Sequence, residues 1–539
     1  MAEATRIQVV FPLLFCYNNN MSGQMKNKQR GSRKMTSSTL RYGINYIKQF
    51  GLKTLGVRII EKKRERKFDY QGFYEQNCVS DRQLEEQRME SMKWEKRPLV
   101  SIVTPLYRTP EKFLRELIES VMASSYNNWQ LCLVDATSIE EERKKIHQIV
   151  SEYQQKDISE GGKQKILYER LRENYGIAEN TNRALLMAKG DYIAFLDHDD
   201  TITPDALYEM MAMEQKMGIG STRAVMFYSD EDKMNEEKTC YYEPHFKPDY
   251  NPDLLCANNY ITHFLMVSRG LLDEVGGIQG EFNGAQDYDF ILRCTEKAEN
   301  VIHIPKVLYH WRVHNASTSG GGGSKDYALQ AGQRAIEQHL QRIGEDGTVQ
   351  YTPYFGFYSV NYEQRNKRKV TLIDISGRVH ESVQGDKESE VYILFWDSSL
   401  KPLRYDWKEI LMADIDRKGV GVVGGKIYNA KHRIEEASYF EEETASGKAL
   451  VNKFQGLRTG YGGYMHRANI QMDCDAVSGR CMLVKREVIE KIEDYAEQIT
   501  QPYFYEVVCN TARRLGYRVM YEPRVEMKMT KGVGICHTK

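Results

Sequence analysis

Gly190-Asp191-Tyr192-Ile193-Ala194-Phe195-Leu196-Asp197-His198-Asp199-Asp200 runs an apolar stretch of strand length straight into a cluster of carboxylates. Such a stretch is expected to be buried, so the acids at its carboxyl end emerge together at a sheet rim, where open α/β sheets bind ligands. Three carboxylates this close raise one another's pKa unless a cation sits among them, and hard oxygen ligands favour magnesium or manganese. A divalent ion holding a diphosphate is the chemistry the stretch suggests. The alternative is an acidic loop capping the next helix, with Thr203-Pro204-Asp205 as the cap.

Strand and helix patterns alternate from Pro98 onward. Leu99-Val100-Ser101-Ile102-Val103-Thr104-Pro105 is a β-branched strand, Trp129-Gln130-Leu131-Cys132-Leu133-Val134-Asp135 a second and Ile166-Leu167-Tyr168 a short third. Helical periodicity covers residues 110–124, 139–155 and 177–188 between them. Strands that alternate with helices imply a mostly parallel sheet whose carboxyl-end loops form the site. Upstream, residues 81–96 read as a charge-rich helical linker.

At 539 residues the chain exceeds one ordinary core, and zero net charge with 41% hydrophobic residues fits a globular protein. No apolar stretch reaches membrane-spanning length, and the run from Ile7 to Tyr17 contains Pro12 and lacks a small-residue cleavage site, so no secretory signal is expected. Met21, Met25 and Met35 leave a later start open. Ten cysteines without a C-x-x-C pair or zinc spacing read as reduced thiols in the cytoplasm. Between Lys26 and Lys67 nearly every charge is positive and apolar residues are interleaved. That segment suits either the anionic inner face of a cell membrane or packing on the next domain. No nucleic-acid partner is expected.

Val100-Ser101-Ile102-Val103-Thr104-Pro105-Leu106-Tyr107, the Asp197-His198-Asp199 triplet and Gln286-Asp287-Tyr288-Asp289, in that order, resemble glycosyltransferase family 2. That is the inverting, nucleotide-sugar-dependent group with the GT-A fold. Tyr228-Ser229-Asp230-Glu231-Asp232-Lys233, Phe246-Lys247-Pro248-Asp249 and Leu308-Tyr309-His310-Trp311-Arg312-Val313-His314 resemble, more closely, bacterial enzymes of O-antigen and rhamnose-containing polysaccharide synthesis. The likeness spans about residues 95–345.

The resemblance implies a nucleotide-diphosphate sugar donor, a glycan or lipid-linked glycan acceptor and a divalent cation, manganese or magnesium. It implies that Asp199 ligates the metal, that Asp197 contacts the metal or the ribose, and that His314 joins the metal while Arg312 pairs with phosphate. Tyr107 and Asp135 are placed in the nucleotide pocket, with Asn180 and Arg183 beside the diphosphate. Ala136 stands where the family often has a second acid, which leaves the base preference open. Asp287 matches the catalytic carboxylate that takes the proton of the acceptor hydroxyl, with Gln286 in place of the commoner Glu. Asp289 is expected to meet acceptor or backbone, Asp200 to cap the following helix, and His310 to be structural. His263 could meet the acceptor, and the acids of Asp230-Glu231-Asp232 are expected in a solvated turn.

After the glycine run 320–323 and a helix over 326–343, a second pattern begins. Tyr392 to Asp397 echoes Tyr192 to Asp197, and Arg513 to Val519 reads as a helix-to-strand return, so an internal repeat is expected, shortened between its first two strands. Its D-x-D counterpart, Trp396-Asp397-Ser398-Ser399, holds one acid, and its base region keeps Glu506 alone. The expected organisation is a basic helical extension and linker (1–95), a GT-A domain (96–345) and a truncated, degenerate, non-catalytic GT-A-like module (346–539). Competing readings are a catalytically silent glycan-binding or transferase-partner protein, a sugar nucleotidyltransferase, for which the Gly-rich phosphate loop is missing after the first strand, and a glycosidase with paired carboxylates.

Overall fold

The computed structural model describes residues 69–161, 164–314, 325–364, 369–375, 390–444, 447–493, 501 and 503–530. The basic segment between Lys26 and Lys67 and the glycine run 320–323 lie outside them. The described chain forms two compact units, one of residues 69–250 and 259–339 and the other of residues 251–258 and 340–530.

In the first unit, helices α1 (Tyr70–Asn77) and α2 (Asp81–Met92) precede the sheet. Ser80 and Gln83 close a capping box at the start of α2, which fixes where the linker becomes helical. Then β1 (Val100–Leu106), α3 (Glu111–Met122), β2 (Trp129–Asp135), α4 (Glu140–Gly161), β3 (Ile166–Arg170), α5 (Ile177–Met187) and β4 (Tyr192–Phe195) alternate, as the sequence pattern requires. The unit continues through β5 (Thr201–Ile202), α6 (Ala206–Met217), β6 (Val225–Asn235), β7 (Tyr241–His245), β8 (Leu265–Ser268), α7 (Arg269–Val275), α8 (Gln286–Lys297) and β9 (Asn300–Val313).

The strands lie in the order β3-β2-β1-β4-β8-β6-β9-β5, with β7 paired to β6. The first four are parallel. Beyond β4 the sheet is mixed: β8 runs antiparallel to β4 and β6, and β9 is parallel to β6. This is the expected GT-A arrangement, a parallel half followed by a mixed half. Alternation along β4 divides its two faces. Tyr192 and Ala194 join the buried cluster that holds Leu114, Leu117 and Val121 of α3 and Leu207 and Met211 of α6. Phe195 points the other way and packs its ring against Phe290 of α8, at 5.2 Å between centroids. Gly190 leads into β4 where the chain lies so close to β1 that a Cβ would stand 2.6 Å from the Ser101 amide.

The second unit begins with the hairpin β10 (Gly347–Tyr351) and β11 (Tyr358–Tyr362). It continues through β12 (Lys369–Asp374), β13 (Glu390–Trp396), β14 (Leu400–Pro402), β15 (Val420–Tyr428), β16 (Ile434–Glu436), β17 (Ser438–Thr444) and β18 (Gly447–Val451). The last strands are β19 (Met472–Asp473), β20 (Ala476–Val477), β21 (Cys481–Lys485) and β22 (Arg518–Met529), with the helix Phe504–Arg514 before β22. Its main sheet runs β12-β13-β21-β15-β22-β14. In that order β12 is parallel to β13, β21 is antiparallel to both its neighbours, β15 is parallel to β22, and β14 is antiparallel to β22. The path β1-β4-β8-β6-β9-β5 of the first unit has the same senses in the same chain order. The second sheet is therefore a topological repeat of the first, without counterparts of β2 and β3 among the described residues. Chain length sets that difference, because residues 375–389 stand where 107–191 stand in the first unit.

The short helix Pro252–Ala257 belongs to the second unit, although it interrupts the first in sequence. Its Asp253 is buried and ion-paired to Arg417 at 2.6 Å and Arg518 at 2.7 Å. Asn251 closes the same contact by donating to the Asp473 carbonyl and accepting from the Asp473 amide.

Candidate functional site

The carboxylates after β4 take three different environments. Asp197 is the accessible one, with 51% of its side chain open, and its Oδ2 lies 4.0 Å from Nε2 of His263. Its surroundings raise its pKa, with His263 opposing the rise and Asp199 adding to it. Asp199 places Oδ2 2.8 Å from Nε2 of His314, at the end of β9. Burial works to raise Asp199, but the His314 hydrogen bond and the nearby His198 outweigh it, so the carboxyl lies below the usual range.

Asp200 is fully buried. The Tyr309 hydroxyl donates to its Oδ2 at 2.5 Å and the Arg312 backbone amide to its Oδ1 at 2.7 Å. Burial and the two neighbouring carboxylates push its pKa well up. Its expected role as a helix cap is thus corrected: both oxygens fasten the acidic loop to β9. The Tyr309 hydroxyl also accepts from the Asp197 amide, and its ring stacks on His263 at 4.5 Å.

Asp287 occupies the first turn of α8. The Asn259 side-chain amide donates to its Oδ2 at 2.9 Å. Burial raises its pKa; His263 pulls it down and Asp197 pushes it up, so the two carboxylates and the histidine share one electrostatic neighbourhood. The fold thereby gathers Asp197, Asp199, His314 and Asp287 around the carboxyl end of β4, although they lie far apart in sequence.

Among the described residues, oxygen and nitrogen atoms of Asp197, Asp200 and His263 fall within 4.8 Å of one another and could hold a cation. Asp199 and His314 supply a second carboxylate–imidazole pair beside them. The carboxylate oxygens suit magnesium or manganese, and an imidazole nitrogen among them favours a transition-metal ion such as manganese over magnesium.

Other sequence-derived candidates are engaged locally. Arg312 is fully buried; its guanidinium donates to Glu116 at 2.6 Å and to the backbone carbonyls of Asp199 and Glu236, over the Phe113 ring. The expected phosphate contact is corrected to a structural one: Arg312 braces the acidic loop from behind. Asp135 ends β2 with its oxygens accepting from the Thr137 amide and the Tyr168 hydroxyl. Tyr107, just beyond β1, is 41% exposed. Asn180 is buried and binds Asn174 and the Tyr175 amide, holding the turn before α5. Arg183 pairs with Glu179 at the surface.

Two further expectations change. Asp230, Glu231 and Asp232 lie buried in β6 and not in a solvated turn, because each has a basic partner: His303 for Asp230, Lys247 for Glu231 and His310 for Asp232. That partnership also fixes His310 as structural. Asp289 is fully buried and accepts from Arg293, which reaches on to the carbonyls of Val275 and Gly277, so it braces α8 and does not face acceptor.

Asn259, Tyr309 and Lys247 escaped the sequence reading as functional groups. Lys247 sits in a stretch the resemblance had drawn attention to, whereas Asn259 carries no periodic or motif signal.

Residues 101–276 match the family model described as Glycosyl transferase family 2. The "Uncharacterized protein y4gI" of Sinorhizobium fredii is 30% identical over 496 residues, covering 80% of this chain and 53% of that protein. The "O-antigen biosynthesis protein RfbC" of Myxococcus xanthus is 33% identical over 322 residues, 59% of this chain and 23% of its own. This chain thus spans about half or less of the length of these curated relatives. Among solved structures, S. aureus TarS 1-349 in complex with UDP aligns at a TM-score of 0.34 and 18% identity, over 45% of this chain and 65% of that one.

Proposed function

We propose, on the match of residues 101–276 to the Glycosyl transferase family 2 model, that the chain moves a sugar from a nucleotide-diphosphate sugar to a hydroxyl of a growing cell-surface glycan, with inversion. The observation that carries this reading is the convergence of Asp197, Asp199 and His314 with Asp287 at the carboxyl end of the parallel strands. The Myxococcus relative's part in O-antigen biosynthesis supports a cell-surface glycan as acceptor. The basic segment before residue 68 would keep the chain at the inner face of the membrane that carries such an acceptor.

Asp197, Asp199 and His314 would hold a manganese or magnesium ion, with His263 beside Asp197. A bound cation supplies neutralising charge for the departing diphosphate. Tyr107 and Asp135 border the nucleotide at the ends of β1 and β2. Asp287 accepts the proton of the acceptor hydroxyl as that oxygen bonds to the anomeric carbon and the bond from this carbon to the diphosphate oxygen breaks. The proton ends on Asp287 and the electron pair on the nucleoside diphosphate. Burial of Asp287 raises its proton affinity, which suits a base that must compete for a hydroxyl proton.

The second unit is assigned a non-catalytic role. Asp397, its counterpart of Asp197, is occupied by Arg480 at 2.7 Å and by the Ser399 amide. Among the described residues no strand of the second unit stands where β2 does, so Asp135 has no counterpart there.

A panel of UDP-, GDP- and dTDP-hexoses, with manganese and release of nucleoside diphosphate as the readout, tests the proposal. Turnover of one donor class is expected. Binding without turnover of any donor, with and without glycolipid acceptor, would favour a glycan-binding partner protein.

A further inference from the structure

The loop that carries Asn259 and His263 is held from beneath by a buried lysine. Lys247 has no exposed side-chain surface; its ammonium donates to the carbonyl of Ile261 at 2.7 Å and to the carbonyl of His263, and lies 3.3 Å from Glu231. The Thr262 hydroxyl donates to the Asn259 carbonyl at 2.7 Å, closing the loop on itself. The Asn259 backbone is thereby fixed, and its side chain extends from a rigid mount to Asp287.

The amide's own bonding is one-sided. Its nitrogen donates to Oδ2 of Asp287, while its oxygen is buried without a hydrogen-bond partner. A buried carbonyl without a donor disfavours the folded state, so stability alone does not account for an amide at this position. An ionised carboxylate accepts and cannot donate, which makes the amide nitrogen the group that must face it. A carboxylate with one oxygen held can no longer swing about its last torsion.

We propose that Asn259 is the positioning residue for Asp287, holding Oδ2 so that Oδ1 is presented to the acceptor hydroxyl; this rests on the reading of Asp287 as the base. Asn259 does not touch the reacting atoms. Its effect falls on the rate of the proton-transfer step and not on donor affinity, since Tyr107, Asp135 and the acids after β4 are untouched by its loss.

The test uses the full chain, manganese, the nucleotide hexose that turns over best in the UDP-, GDP- and dTDP- panel, and water as acceptor. Asn259→Ala and Asn259→Asp are expected to lower kcat by about 10- to 100-fold, the scale of one hydrogen bond to a charged group, with KM for the nucleotide sugar changed by less than about twofold. Asn259→Gln, which keeps a carboxamide donor, should recover part of the lost rate. Wild-type kcat in Asn259→Asp, which keeps the shape and loses the donor, would overturn the proposal even if Asn259→Ala fails to fold. Equal losses in all three variants with a raised KM would overturn it in favour of a packing role. Asp287→Asn run alongside separates the two claims: wild-type turnover there removes the base itself, whereas an inactive Asp287→Asn beside a wild-type Asn259→Asp removes only the positioning role.

Discussion

Asp199 and Asp287 carry separable tasks, and single substitutions should separate them. Asp199→Ala leaves His314 without its carboxylate and should lower manganese-dependent affinity for nucleoside diphosphate by at least about tenfold, the scale of a lost charge-assisted contact, in a calorimetric titration. Unchanged affinity would remove Asp199 from the donor site. Asp287 must be ionised to accept a proton, and burial raises its pKa, so kcat/KM should fall as pH drops through a value above the ordinary carboxylate range. His263 opposes that rise, so His263→Ala should move the acid limb to higher pH; a limb that moves down or stays would show that His263 does not act on Asp287. That Asp197, Asp199, His314 and Asp287 come together was legible because each lies in a motif whose resemblance placed it at the end of a strand or helix. Asn259 was not, because an amide 28 residues from its partner leaves no spacing to read. Arg312 was misread for the converse reason: its residue type suits phosphate, but its half-buried partner Glu116 lies far away in sequence.

The strand β6 shows how an element can hide charge. Three successive acids look like a solvated turn, yet β6 buries them because β9 brings His310 and His303, and the segment after β7 brings Lys247, to meet them. Lys247→Met would leave Glu231 without its main counter-charge and should cost about 3–5 kcal/mol in denaturant unfolding, as expected for breaking a buried pair from one side. A change under about 1 kcal/mol would show that the pair is not what pins the loop. Burial works to raise Glu231, but Lys247 and the nearby histidines hold it at about 2, below its unfolded value. Its contribution to stability is therefore present above about pH 4.3 and is lost as pH falls from there towards 2. The elements β1 to β4 and their helices were readable because apolar runs ended in turn residues. The antiparallel placement of β8 was not, since a four-residue strand in a mixed sheet carries no mark of its direction.

At the scale of the molecule, one chain contains the same sheet path twice, and among the described residues the first copy alone carries the two extra parallel strands β2 and β3. The echo of Tyr192 to Asp197 in Tyr392 to Asp397 exposed the repeat in sequence; the insertion of residues 251–258 into the second unit left no such trace, because it depends on ion pairs to Arg417 and Arg518. A chain cut after Ile343 loses those partners and uncovers Leu254, Leu255, Cys256 and Ala257, all buried here. It should therefore aggregate in size-exclusion chromatography; a stable monomer would show that the first unit folds without the second. Asp397→Ala with Glu506→Ala should leave sugar transfer within about twofold of wild type, and loss of one of two distinguishable products would make the second unit an enzyme. A sugar transferase with its chemistry in the first unit and Asp287 as its base must depend on that carboxylate for nucleoside diphosphate release from the preferred nucleotide hexose. The wild-type chain and Asp287→Asn should bind that donor with equal affinity, and the variant should turn over at least about 100-fold more slowly. Equal turnover by the two proteins would contradict the account.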